Sequence, residues 1–257
     1  DLHSFPTRRS SDLAIFDLNG NQLTYTQSLV NSGTMTIVDS DPGKAGRLHN
    51  PNTAVPTITN NGTLTIESGY ISSANVALNN TSTVTINGGR IVGGLIGIQS
   101  SSGDNYTVTL NNGSIEAGQY GILNGTVTVN GGSVTVNNPE NRPSVAIKAN
   151  NVTITDGSIS ITSNAFTSGS DSCGYTYSRC TSGIEATTTT VEDGSIYVEA
   201  TNVGTTTRGI AGTSTINGGS ITVTGVGVLY GTNGKTTLND GNITVTGTSE
   251  TNSNNSA

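Results

Sequence analysis

The stretch TVTINGGRI, Thr83–Ile91, decides the fold. Along its first four residues Val84 and Ile86 point to one side of an extended chain, and Thr83 and Thr85 to the other. Asn87, Gly88 and Gly89 then supply turn chemistry, because Gly and Asn tolerate positive φ. The pattern T-x-T-[ILV]-x-x-G-x-[IV] recurs at Thr63–Ile71, Thr107–Ile115, Thr126–Val134, Asn151–Ile159, Thr188–Ile196, Thr213–Ile221 and Lys235–Ile243, and a weaker copy begins at Thr34. Its glycines, Gly69 to Gly241, are separated by 20, 24, 19, 25, 37, 25 and 22 residues. A unit this short cannot close a core alone, whereas stacked units place each Val or Ile over its equivalent in a continuous apolar column.

A second landmark recurs within the periods: Ala77-Leu78, Gly97-Ile98, Gly121-Ile122, Ala146-Ile147, Gly183-Ile184, Gly209-Ile210 and Gly227-Val228. Each period therefore holds three short β segments: T-V-T-I, a segment such as Ser220–Val223, and the Gly-Ile segment. The expectation is an all-β parallel β-helix (solenoid) of about nine irregular rungs, three short strands per rung, rising roughly 4.8 Å per rung. Propeller blades need roughly 40 or more residues, and a disordered chain has no reason to hold apolar residues in register.

Composition agrees. Thr, Gly, Asn and Ser make up 137 of 257 residues, and only 11% are charged. Helix formers such as Lys, Glu and Met are scarce, which excludes an α-rich fold. A net charge of −7 argues against nucleic acid as partner, since that needs a basic surface. No run approaches the roughly 18 apolar residues of a membrane span, so direct membrane insertion of this segment is not expected.

His3–Leu13, HSFPTRRSSDL, breaks with everything after it and resembles one reading frame of a common short-read sequencing adapter. Residues 1–13 are accordingly set aside as a disordered sequencing artefact. Residues 14–248 form one β-helix domain with an insertion at about 162–182, and 249–257 read as a polar tail or truncated linker.

DLNG at Asp17–Gly20, NSGTMTIVDS from Asn31, TNNGTLTIESGYI from Thr59 and TVTINGGRI together resemble the right-handed parallel β-helix repeats of bacterial surface proteins in the broad pectin-lyase-like superfamily. The resemblance covers about residues 14–248 and implies a right-handed solenoid. That superfamily includes adhesins, stalks, phage tailspikes and polysaccharide-degrading enzymes, and fold alone does not choose among them.

The residues give few catalytic pointers. Glycoside hydrolysis generally needs two carboxyl groups facing one bond, and the N-T-D, D-D, H-G and R-x-K motifs of the polygalacturonase-like enzymes are missing from the sequence. No catalytic residue is assigned. His49, before Asn50-Pro51, reads as a solvated loop residue; Arg179 and Arg208 are conceivable lyase bases without support from spacing. Asp156 and Asp193 hold one repeat position in consecutive copies, with Glu185, Glu192 and Glu199 nearby in sequence, so a calcium ion is a possible cofactor there. Asp before Gly is also ordinary turn chemistry.

The insertion reads TSNAFTSGSDSCGYTYSRCTS. In an exported protein Cys173 and Cys180 would form a disulfide pinning a small loop. Between and beside them, Tyr175, Tyr177 and Arg179 are the candidate ligand-binding residues, because a Tyr ring stacks on sugars and anchors protein contacts. A purely structural stapled loop is the alternative. Asn87, Asn111, Asn130, Asn217 and Asn239 share one turn position and are expected to hydrogen-bond from rung to rung. The stacked T-x-T columns resemble ice-binding faces of other β-solenoids, yet Thr is also a usual outward strand residue, and Asn151 and Lys235 interrupt the array.

The resulting expectation is a non-enzymatic, exported bacterial surface protein, its β-helix a rigid stalk or adhesin at the cell surface. Its partners would be host or environmental glycans or surface proteins. The alternatives are a polysaccharide lyase or glycoside hydrolase, and a phage tailspike-like receptor-binding protein.

Overall fold

Alternating residues must face opposite ways, and stacking lets all the apolar ones share one interior. A computed structural model describes residues 13–138, 143–163 and 179–248. They wind as an all-β, right-handed parallel β-helix of about nine turns. The described strands pair in parallel with the rung before and after, as Thr63↔Thr83↔Thr107↔Thr126 illustrates. Each turn has three faces. The first is built from T-x-T strands such as Thr34–Val38, Thr63–Ile66 and Thr83–Ile86. The second holds strands such as Tyr70–Ser73 and Arg90–Gly93, and the third Val76–Asn80 and Ile96–Ser100. Leu13, assigned by sequence to the leading tract, is already in the strand Leu13–Asp17 and pairs with Thr34.

The rungs change character past the fifth turn. Three short strands give way to long ones that run through corners: Ser144–Ile154, Arg179–Val191, Ser195–Ile216 and Ser220–Asn233. Pairing continues through the corner between third and first faces, where Ala149 aligns with Ala186, so no break separates the strands.

The interior is a set of stacked columns. On the first face Ile37, Ile66, Ile86, Leu110, Val129 and Ile154 are fully buried; on the second, Ile71, Ile91, Ile115, Val134 and Ile159; on the third, Ile58, Leu78, Ile98, Ile122 and Ile147. In the last rung Leu238 and Val245 align with buried Ile216 and Val223 yet are 52% and 45% exposed, because no further described rung covers them.

Outward residues form columns too. On the first face from the second rung to the ninth, one column runs Thr34, Thr63, Thr83, Thr107, Thr126, Asn151, Thr188, Thr213. The next runs Thr36, Thr65, Thr85, Thr109, Thr128, Thr153, Thr190, Thr215 without a break. The uneven spacing of the repeats is absorbed by turns and insertions and does not shift this register.

Both glycine landmarks have a steric origin. All eight repeat glycines have φ between +74° and +102°, a region that side chains disfavour. A Cβ on Gly113 would also lie 2.5 Å from the Gly89 carbonyl oxygen. The Gly-Ile glycines stack in one column against the second-face branched residues: a Cβ on Gly121 would sit 2.4 Å from Val134 Cγ1. Ala77 and Ala146 are the largest residues this column carries at those landmarks. The last landmark needs correction. Gly227-Val228 does not hold the position; Val228 pairs with Thr206 and is 52% exposed, and Thr232, after Gly231, pairs with Ile210. The register shift between Ala200 and Thr205 moves the copy, and Thr232 hides it from a search for Gly-Ile.

Candidate functional site

Rung-to-rung registry puts side chains from distant parts of the chain about one strand spacing apart, so ladders dominate the surface. At the turn after the first face, Asn87 donates to Glu67, Asn111 to Asn87 and Asn130 to Asn111, each at 2.8 Å. Farther on, Asn217 donates to Glu192 at 2.9 Å and Asn239 to Asn217 at 2.7 Å. The expected Asn ladder therefore exists in two segments, interrupted where Thr155 takes the position. Each segment starts on a Glu, whose carboxylate accepts the first amide.

A second, buried ladder was not anticipated. Asn31 donates to Asn60 Oδ1 at 2.7 Å, Asn60 to Asn80 Oδ1 at 2.9 Å, and Asn80 to Ser100 Oγ at 3.3 Å. The same amides reach the first strand of the next rung, at the carbonyls of Thr63, Thr83 and Thr107. Burial makes these bonds costly to lose. The signal was legible: Asn31, Asn60 and Asn80 each precede the first Thr of a T-x-T unit by three residues.

The second face carries a charged stack. Arg47, Tyr70 and Arg90 each follow a turn glycine and pair in register. The two guanidinium carbons lie 4.8 and 5.0 Å from the Tyr70 ring centroid, one from the rung before and one from the rung after. Arg90 also forms a bidentate pair with Glu116, both bonds 2.6 Å. Its hydrogen bonds hold the Glu116 carboxyl below the usual range. The pair is half exposed, so its contribution is roughly 0–1 kcal/mol. His49 is not in a loop, as its place before Asn50-Pro51 suggested. It lies in the strand Arg47–Asn50, half-buried, with Nδ1 3.0 Å from Ser72 Oγ and 3.3 Å from an Arg47 nitrogen. The turn signal of Asn-Pro acts one residue later.

On the third face a cleft of about 370 Å³ is lined by Lys148, Glu185, Arg208, Asn124 and Asn150 among others. Lys148 pairs with Glu185 at 2.7 Å, and Arg208 reaches the other Glu185 oxygen at 3.7 Å. Arg208 is 8% exposed; burial lowers its guanidinium pKa and Glu185 opposes that shift. Glu192 sits in the turn ladder and Glu199 on the second face beside Tyr197. The three Glu residues near in sequence are thus on different sides of the rod.

Asp156 and Asp193 occupy equivalent turn positions, flanked by the pairs Ile154↔Val191 and Ser158↔Ser195. Each accepts the following glycine N–H, at 2.6 and 2.8 Å, so one oxygen of each serves its own turn. Calcium takes six to eight oxygens, and the described residues contain no group of three His, Cys, Asp or Glu side chains suited to a metal. Of the insertion, Cys173, Tyr175 and Tyr177 lie outside the described residues. Arg179 opens the strand Arg179–Val191 and aligns with Thr205. Cys180 is buried and disulfide-bonded. No helix among the described residues is long and apolar enough to cross a membrane.

Near the first rung Asp39, fully buried, accepts N–H bonds from Gly20 (2.8 Å) and Gly46 (2.7 Å). The Gly20 bond leads in holding its carboxyl below the ordinary value of 3.8, against the opposing effect of burial. A depressed folded pKa means the stabilisation is complete above pH 3.8 and is lost as pH falls through the lower folded value. Thermal unfolding followed from pH 7 downward is expected to show the wild type losing stability in that acid window. Asp39→Asn should start lower at pH 7 and lose less; equal slopes would contradict the assignment.

Comparison with family models, with curated proteins and with solved structures finds no match.

Proposed function

We propose that the chain belongs to an exported bacterial surface protein, in which the β-helix is a rigid, non-enzymatic stalk or adhesin that meets glycan or protein through its insertions. The observation that carries this reading is the interlocking of rungs by side-chain ladders on top of the backbone ladder. Asn31–Asn60–Asn80–Ser100 inside, Glu67–Asn87–Asn111–Asn130 outside and Arg47–Tyr70–Arg90–Glu116 on the second face all resist bending and slippage between rungs. A rod held this way suits transmission of position and load. The acidic groups Glu67, Glu116, Glu185 and Glu192 are engaged with Asn, Arg or Lys partners, which favours scaffold over hydrolytic roles. A disulfide at Cys180 supports an oxidising compartment, and with it a cell-surface location.

The resemblance to pectin-lyase-like surface repeats is consistent with this reading. The contact loop is the insertion carrying Tyr175, Tyr177 and Arg179, at the end of a rung anchored by Ser163 and Cys180. Binding of the 257-residue protein to a panel of immobilised polysaccharides and mucin glycoproteins tests it, with product release followed in parallel. Retention is expected to fall on Tyr175→Ala/Tyr177→Ala substitution, with no new reducing ends or unsaturated sugars released. Turnover of any polysaccharide would overturn the stalk reading in favour of a lyase or hydrolase.

A further inference from the structure

Thr is distributed over the three faces in a way that strand propensity does not explain. Fifteen of the sixteen outward positions on the first face, rungs two to nine, are Thr. On the second face the columns that start at Arg47 and His49 hold two, Thr135 and Thr222, and the outer column Asn137, Thr162, Glu199, Thr224 holds two more. Over the same rungs the third-face columns that run through Val76 and Asn79 hold one, Thr59. All three faces are parallel sheet on one rod, so a preference for β-branched, soluble residues would act on each alike.

Internal hydrogen bonding does not explain the bias either. The Asn columns spend their amides on one another. In the column Thr36 to Thr215, by contrast, no hydroxyl hydrogen-bonds another group among the described residues, and every one of these Thr is half-exposed. In the neighbouring column Thr107 bonds Thr83, Thr126 bonds the Asp104 carbonyl and Thr188 bonds Asn151. The Asp104 loop reaches that column's edge at Asn151, and among the described residues it makes no hydrogen bond to the Thr36–Thr215 column. What the face offers outward is a two-dimensional lattice of methyls and hydroxyls. Its repeats are about 4.8 Å along the rod and about 6.6–6.8 Å along each strand, between residues i and i+2.

The chemistry of the lattice narrows what can lie on it. Its sixteen positions carry no charge, and the Thr34–Thr213 column meets one only at Lys235 in the rung beyond Thr213, so an ionic ligand has no repeating counterpart there, although the chain as a whole is at −7. They carry no aromatic ring, so the stacking that usually holds sugar rings is missing. Each Thr binds weakly, and only a ligand that repeats with the rungs gains from all of them at once. An uncharged, rigid hydrogen-bonding lattice with repeats of a few ångströms is the surface of ice.

We propose that the first face binds ice, its hydroxyls taking lattice-water positions and its methyls filling the spaces between. This does not rest on the stalk reading. The test is partition of the 257-residue protein into slowly grown polycrystalline ice, with crystal shape observed alongside. The wild type is expected to enter the ice and to facet single crystals. Thr109→Tyr and, separately, Thr128→Lys should be excluded like an inert protein while keeping wild-type circular dichroism. Ser133→Tyr, on the second face, should partition like the wild type. Exclusion of the wild type overturns the proposal, and so does equal loss in Ser133→Tyr. Sedimentation of the wild type with crystalline cellulose, together with exclusion from ice, would overturn it in favour of an ordered polysaccharide.

Discussion

Gly113→Ala is expected to lower stability by roughly 2–6 kcal/mol, the sum of left-handed backbone strain and overpacking. Gly113 has φ of +89°. An added Cβ would meet the Gly89 carbonyl oxygen at 2.5 Å and the Gly88 carbonyl carbon at 2.9 Å. Both obstacles are backbone of the preceding rung, so no rotamer change relieves them. The rungs would have to separate locally, weakening the ladder Ser114↔Arg90 beside it. Because a solenoid is stabilised mainly between neighbours, amide exchange should accelerate in rungs three to five more than in rungs eight and nine. A melting temperature unchanged from wild type would contradict the assigned turn geometry.

Asn60→Leu should be comparably damaging for a different reason. Asn60 is fully buried. Its amide nitrogen donates to the Gly62 and Thr83 carbonyls and to Asn80, and its oxygen accepts from Asn31 and from the Gly62 N–H. Its two amide hydrogens are shared among three acceptors, so the equivalent of about four bonds at about 0.5–1.5 kcal/mol net each puts the cost at about 2–6 kcal/mol. Leu keeps the branched skeleton but replaces the amide O and NH2 with bulkier methyls, so overpacking adds to the lost bonds. Asn130→Leu provides the comparison, because its ladder is exposed and water replaces the lost bond; a cost within about 1 kcal/mol is expected. Chemical denaturation of the two variants measures both. Equal costs would mean that burial does not distinguish the ladders.

How much of this was legible in the sequence follows from what kind of signal each feature leaves. The fold was legible because its two requirements, alternating apolar residues and a positive-φ glycine, act on local residue types and repeat eight times. The outer Asn ladder was legible for the same reason. The buried Asn ladder recurs three times in the T-x-T approach and was overlooked because Asn is so frequent in this composition. Arg47–Tyr70–Arg90–Glu116 left a fainter trace, since three different residue types spread over two adjacent columns are related only by their registry. The third-face cleft depends on how Lys148, Glu185 and Arg208 pack across rungs 23 to 37 residues apart, which no local pattern encodes. The T-x-T face was seen as a pattern, but its isolation on a single face needed the register of all three.

Stacking in register is the claim on which the ladders, the core columns and the Thr face all depend. Equivalent residues in adjacent rungs lie one strand spacing apart, about 4.8 Å, within the Cα separation a disulfide spans. Thr85 and Thr109, 24 residues apart, are such a pair, whereas Leu110 faces the core and is fully buried. The measurement is oxidation of a Thr85→Cys/Thr109→Cys variant followed by peptide mapping, beside a Thr85→Cys/Leu110→Cys control. Near-complete cross-linking in the first and little in the second is the predicted result. No cross-link between positions 85 and 109, or equal yields in both variants, would contradict the stacked register.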